Sequence, residues 1–240
     1  MSFQLTQFYH VLLDIEGTVA PIHFVHQVLF PYSLEHIEEY LLRNGIPEIV
    51  VDSLLEENRK DVETGVYPLR IDHLDDYKRV ANYLKYLIQI DRKSTALKEI
   101  QGKIWEIGYT RGEIKSQIFS DTVKFFVYLK ARNIPISIYS SGSILAQKLI
   151  FQYSDKGDLQ SYISNYFDTT TGSKKSPESY IKIAQTVNLN PYKIIFFTDV
   201  VEEAQAAKQA GMEVVIVKRP TNPPQPPHDF YEIEDFFSLI

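Results

Sequence analysis

Val11-Leu12-Leu13-Asp14-Ile15-Glu16-Gly17-Thr18 carries a short apolar run straight into two carboxylates and a glycine. The run predicts a buried strand over 8–13. Side chains alternate along a strand, so acids two positions apart at its end face the same way. Gly17 then lets the chain turn sharply. Open α/β sheets bind ligands at the carboxyl ends of their strands. The device recurs twice. Ile136-Ser137-Ile138-Tyr139 runs into Ser140-Ser141, and Ile194-Ile195-Phe196-Phe197 runs into Thr198-Asp199.

Working outward, the texture changes twice. From about His23 to Gly112 the pattern is helical. Its clearest part is 72–90, where Leu74, Tyr77, Val80, Ala81, Leu84, Leu87 and Ile88 recur at three- and four-residue intervals. Ser94 is placed to cap the next helix. Pro31 and Pro47 mark breaks or first-turn positions. After Asp121, helices (121–132, 144–152, 177–187, 201–210) alternate with strands (135–139, 193–198, 213–217). That alternation predicts a parallel sheet covered on both faces. The expected fold is an α/β, Rossmann-like core made of 1–19 and 121–240, interrupted by a helical cap over 20–120 above the sheet's carboxyl edge. The tail from Pro220 to Pro227 reads as a stiff surface connection.

The chain has 240 residues, of which 44% are hydrophobic and 23% charged, enough for a sizeable core and against wholesale disorder. It contains no cysteine, which excludes disulfides and thiolate chemistry and suits a reducing compartment. Met1 to His10 lacks the basic and apolar regions of a signal peptide. No apolar run approaches the roughly 18 residues of a membrane span. A net charge of −6 without a basic stripe argues against nucleic acid as a partner. The expectation is a cytoplasmic protein, the nucleus being open too, that acts on a small molecule. An anionic substrate remains compatible with a local cationic site.

Four pieces then belong together: Asp14 and Glu16; Ser140, Ser141 and Gly142; Lys174 in Thr171-Gly-Ser-Lys-Lys175; and Asp199 with Glu203 four residues on. Singly, each has an ordinary reading as loop, turn or cap. Jointly, they suit phosphoryl transfer through an aspartyl phosphate. A carboxylate approaching an anionic phosphate is repelled. A hard divalent cation on Asp14 and Asp199 would offset that repulsion. A lysine and hydroxyl or backbone donors would neutralise the equatorial oxygens. Glu16 is placed to protonate the leaving oxygen and later activate water.

These residues resemble the haloacid dehalogenase-like phosphohydrolases and, among them, the enolase-phosphatases (acireductone synthases) of methionine salvage. The resemblance runs nearly the length of the chain. Its carriers are Asp14-Ile-Glu-Gly-Thr18, Phe24-Val-His-Gln-Val-Leu-Phe-Pro-Tyr32, Asp91-Arg-Lys93 with Leu97-Lys98, Ile104-Trp105 with Gly108-Tyr109, Tyr139-Ser-Ser-Gly-Ser143, Ala146-Gln-Lys-Leu149, Gly172-Ser-Lys174 and Phe197-Thr-Asp-Val200. Glu16 as the second acid is the subfamily's mark. The departures are Val19-Ala20, where hydroxyl residues are usual, and the segment after Lys174.

The resemblance implies one Mg2+ per chain and two steps on 2,3-diketo-5-methylthiopentyl 1-phosphate: enolisation, then dephosphorylation to 1,2-dihydroxy-3-keto-5-methylthiopentene. It implies Asp14 as nucleophile and metal ligand. Glu16 becomes the acid/base, with its backbone carbonyl on the metal. Ser140 and Ser141 hold phosphate or the dicarbonyl end, Lys174 pairs with phosphate, Asp199 binds the metal, and Glu203 orients Lys174 or a water at the metal. Since a cap encloses a small substrate without a partner, a monomer is expected. Two alternatives stay open: a phosphatase or mutase of the same fold for another phosphate ester, and a receiver-like module that takes phosphate without turnover.

Overall fold

The structure is a computed structural model that describes residues 7–240. Residues 1–6, the start of the stretch read above for a signal peptide and of the expected core, lie outside the described part. The described residues divide into two compact units. One holds the chain up to Phe24 together with Lys115–Ile240, and the other is Val25–Ile114.

In the first unit, β1 (His10–Leu13), β2 (Ile136–Tyr139), β3 (Ile163–Phe167), β4 (Ile194–Thr198), β5 (Glu213–Val217) and β6 (Tyr231–Ile233) form one parallel sheet. Its order is β3-β2-β1-β4-β5-β6. β1 is buried along its whole length, as a strand covered on both faces must be. Leu12, Ile194, Phe196, Val214 and Ile216 pack with Tyr180, Ile183, Ala204 and Ala207 from α7 (Pro177–Thr186) and α8 (Val201–Gln209). On the opposite face, Phe125 of α5 (Ser120–Ala131) stacks on Phe236 at 4.5 Å and meets Phe197 edge-on at 5.7 Å. α6 (Ile144–Gln152) starts at Ser143, whose side chain accepts from Ala146 N, as its cap position predicts.

The sequence reading passes over β3 and β6. Both are edge strands. β3 is largely half-buried, and Tyr231 and Glu232 of β6 are exposed, so neither shows the apolar run of an interior strand. A second difference concerns the two acids. β1 ends at Leu13, so Asp14 and Glu16 lie in a turn, and the turn rather than strand alternation fixes their relation.

The second unit packs α1 (Phe30–Asn44), α2 (Glu48–Glu63), α3 (Tyr77–Gln89) and α4 (Thr95–Thr110) around one apolar cluster, including Leu41, Leu54, Leu84, Leu87 and Ile100. α3 begins later than its stripe suggests. Asp76 accepts from Arg79 N and caps it there, leaving Leu74 outside. Ser94 caps α4 through Leu97 N. Before α1 the chain makes a π-helical stretch, Val25–Leu29, and Trp105 Nε1 donates to the Leu29 carbonyl at 2.9 Å. A buried indole N–H needs an acceptor, and this carbonyl supplies one. Gly108 lets two elements touch: a Cβ there would lie 2.7 Å from Tyr32 Cζ and Ile114 Cδ1. Among the described residues no helix is long and apolar enough to cross a membrane.

One core group makes folding sensitive to acid. His10, only 3% exposed, bonds through Nε2 to Ser137 Oγ at 2.7 Å, and burial pushes its pKa down to about 4. The unfolded chain takes up the imidazole proton near pH 6.5, whereas the folded chain resists until about pH 4. Stability from this site is complete above pH 6.5 and is lost as pH falls through that window, by about 3 kcal/mol in all. Urea unfolding of wild type and His10→Gln at pH 7.5, 6, 5 and 4.5 should show a shallower decline in the variant. Parallel declines would remove His10 from the account.

Candidate active site

The chain leaves β1 for β2 on one side and later crosses to β4 on the other, so β1 and β4 flank the topological switch point. Side chains just past their carboxyl ends converge there. Asp14 follows β1, with its N–H donating to Phe197 O at 3.0 Å, and Asp199 follows β4. Both are buried, at 4% and 3% exposure.

A tight turn follows Asp14. Thr18, Val19 and Ala20 all donate to Ile15 O, and Gly17 N donates to Ala20 O. Gly17 takes φ 72°, and a Cβ there would overlap Asp199 Oδ2. Glycine is thus required twice, for its backbone and for the approach of Asp199. Glu16 is half-buried in this turn.

Lys174 reaches the same place from the loop before α7. Its Nζ donates to Asp14 Oδ1 at 2.6 Å and pairs with Glu203 Oε2 at 2.7 Å. Tyr180 OH donates to Lys174 O at 2.6 Å and fixes the backbone beneath it. The neighbouring Lys175 is exposed. Thr198 Oγ1 donates to the same Glu203 oxygen at 3.0 Å, and Val200 N donates to Thr198 Oγ1.

Ser140, buried, and Ser141, half-buried, follow β2. Gly142 N donates to Ser140 Oγ at 3.2 Å. Gln147 Nε2 donates to Gly142 O at 2.9 Å and to Phe167 O at 2.8 Å, tying this loop to the end of β3. The sequence alone does not mark Thr198, Gln147, Tyr180, Arg219 and Asn222 as site residues. Gln147, inside Ala146-Gln-Lys-Leu149, had a signal. Arg219 and Asn222 were hidden around the proline-rich tail. That tail is largely exposed, as a surface connection would be, yet Arg219 donates twice to Thr18 O and Asn222 Nδ2 donates to Gly17 O at 2.8 Å.

The electrostatics are lopsided. Asp14, Asp199 and Glu203 share one ammonium. Burial first, then the charge of Asp14, pushes Asp199 up to about 8. Burial pushes Glu203 up to about 7, although Lys174 works against it. Burial also opposes the Lys174 ammonium, but Asp14 and Glu203 outweigh that and hold it protonated. Surplus buried negative charge with oxygen donors fits a hard divalent cation. Among the described residues no three His, Asp or Glu side chains form a ready cage, so Asp14 and Asp199 would need backbone and water oxygens beside them. The arrangement can present a carboxylate to an electrophile, supply a positive charge beside it and bind a cation.

Known proteins resemble this chain over nearly its whole length. A family model described as haloacid dehalogenase-like hydrolase matches residues 10–211. The chain is 45% identical over 225 residues to "Enolase-phosphatase E1" of Leptospira borgpetersenii, covering 94% of this chain and 95% of that one. It is 44% identical to the protein of that name from Leptospira interrogans, over 100% and 99% of the two chains. Among solved structures, the UTR4 protein of Saccharomyces cerevisiae superposes with a TM-score of 0.77 at 31% identity, over 97% of this chain and all of that one.

Proposed function

The chain belongs to the haloacid dehalogenase-like hydrolases and, within them, to the enolase-phosphatases, and from that membership we propose how its residues divide the work. The enzyme converts 2,3-diketo-5-methylthiopentyl 1-phosphate to 1,2-dihydroxy-3-keto-5-methylthiopentene and phosphate, in methionine salvage. The observation that carries the residue assignment is the buried Asp14 carboxylate past β1, held by Lys174 and adjoined by Asp199.

In the phosphatase half, an Asp14 carboxylate oxygen attacks phosphorus and the bond from phosphorus to the substrate oxygen breaks. Glu16 gives its proton to that departing oxygen. The aspartyl phosphate is then attacked by water, whose proton returns to Glu16, releasing phosphate and free Asp14. Lys174 lies against Asp14 and neutralises charge on the transferring group. Ser140 and Ser141, with backbone donors of their loop, hold phosphate or the dicarbonyl end. Glu203 keeps Lys174 in place. Asp14, Asp199 and the Glu16 carbonyl would hold one Mg2+, which when bound offsets the repulsion between carboxylate and phosphate. Enolisation needs a base to take a proton from the carbon beside a carbonyl, and Glu16 is one candidate for it. The enzyme works as a monomer in the cytoplasm.

Purified protein given the diketo phosphate and Mg2+, followed for enol absorbance and free phosphate together, should show enol appearing before or with phosphate. Excess chelator should stop phosphate release. Phosphate release from generic esters with no enol from this substrate would leave a phosphatase with a different metabolite.

A further inference from the structure

Asn222 sits in the proline-rich tail yet touches the nucleophile turn. Its Nδ2 donates to Gly17 O at 2.8 Å and to Val217 O at 3.3 Å, at the end of β5. Two carbonyls facing one end of the amide require the nitrogen there, which fixes the side-chain oxygen on the other end. That Oδ1 is buried and has no hydrogen-bond partner among the described residues. It lies 3.0 Å from the point where a Gly17 Cβ would sit, the point that Asp199 Oδ2 also crowds. A buried acceptor is rarely left unpaired, and here it is beside a carboxylate, which offers no donor when ionised.

Holding the turn does not account for that oxygen. Arg219, 5% exposed and paired with Asp121 at 2.8 Å, already grips Thr18 O. Asp199 and Asn222 together line a cavity of about 690 Å³ whose wall continues through Arg219 and Gln225. A cation on Asp199 keeps that carboxylate ionised and without a proton to donate, and the donor that then fits between the two oxygens is a water.

We infer that Asn222 is a positioning residue for the divalent cation: its Oδ1 accepts from a water of the ion held by Asp199 and so strengthens cation binding. The inference rests on the assignment of Asp199 as a cation ligand. Partners of this outer kind are worth about 10- to 100-fold in affinity.

The test is equilibrium binding of Mn2+ alone to the full chain, with free Mn2+ counted by electron paramagnetic resonance. Asn222→Ala removes donor and acceptor. Asn222→Asp keeps an acceptor, adds charge and loses the donors to Gly17 and Val217. Asn222→Ala should weaken Mn2+ by about 10-fold, while Asn222→Asp should bind at least as tightly as wild type. If Asn222 merely buttressed the turn, both variants would weaken alike, and that result overturns the proposal. Unchanged affinity in both would mean a resident structural water and overturns it equally. Asn222→Leu, close to asparagine in size and with neither donor nor acceptor, replaces the Ala chain if that one melts below the assay temperature, with the same expectation. Asp199→Asn is the separate control: if it binds Mn2+ as wild type does, the cation assignment itself fails.

Discussion

Asp14→Asn should abolish phosphate release, by roughly 10^4- to 10^6-fold, in a chain at least as stable as wild type. An amide oxygen is a poor nucleophile and cannot form the acyl phosphate that a carboxylate forms. The stability half follows from crowding. Asp199 titrates near 4 in an unfolded chain but is pushed up to about 8 here, by burial first and then by the charge of Asp14. Such a group holds a proton in the folded state that the unfolded chain has released. Folding therefore loses stability as pH rises from about 4 to about 8. Removing the Asp14 charge lowers the folded pKa of Asp199 and flattens that loss. Lys174 keeps its second partner, Glu203 at 2.7 Å. Thermal melts at pH 6 and 8 should thus show the variant gaining on wild type at the higher pH, while phosphate release is at background. A variant that still turns over would end the nucleophile assignment. One that loses stability most at pH 8 would contradict the electrostatic account.

How far the sequence foretells such a site depends on what kind of fact is asked for. Asp14, Ser140 and Asp199 each follow an apolar run, and a run ending in polar residues is a local signal. The pairing of Lys174 with Asp14 spans 160 positions, and local periodicity says nothing about it. Burial separates Lys174 from its neighbour Lys175, and burial belongs to the fold. Gly17 is legible as a turn residue, but its second reason, the Asp199 carboxylate packed against its Cα, is tertiary. The interior strands announce themselves because both faces are covered. β3 and β6 do not, because edge strands need no such run. Composition misleads at the tail: its prolines describe an exposed connection, whereas Arg219 and Asn222 reach back to the turn after Asp14.

Lys174→Met should cost both catalysis and stability, and the stability cost should depend on pH in a direction set by the neighbours. Methionine matches the length and apolar stem of lysine, so packing is nearly conserved while the charge is removed. Phosphate release should fall by about 10^3-fold, the scale for losing a preorganised electrostatic partner. Asp14, Asp199 and Glu203 then face one another without the ammonium that bridged two of them at 2.6 and 2.7 Å. Removing one partner of a buried ion pair typically costs about 3–5 kcal/mol, because a desolvated charge is left behind. The chain can reduce that cost by protonating carboxylates. Glu203 at about 7 and Asp199 at about 8 are already raised, and losing the cation raises Glu203 further. The deficit relative to wild type should therefore be largest at pH 8 and shrink toward pH 5, where the folded variant holds protons that its unfolded chain holds less tightly. Lys174→Arg separates charge from shape. The guanidinium restores part of the stability at pH 8, but its broad planar fork does not reproduce a point charge between two carboxylates, and phosphate release stays low. Chemical denaturation at pH 5, 6.5 and 8, set beside phosphate release at each, reads both effects. A deficit that does not change with pH would mean that Lys174 stabilises by packing alone, and phosphate release within tenfold of wild type would take it out of the catalytic set.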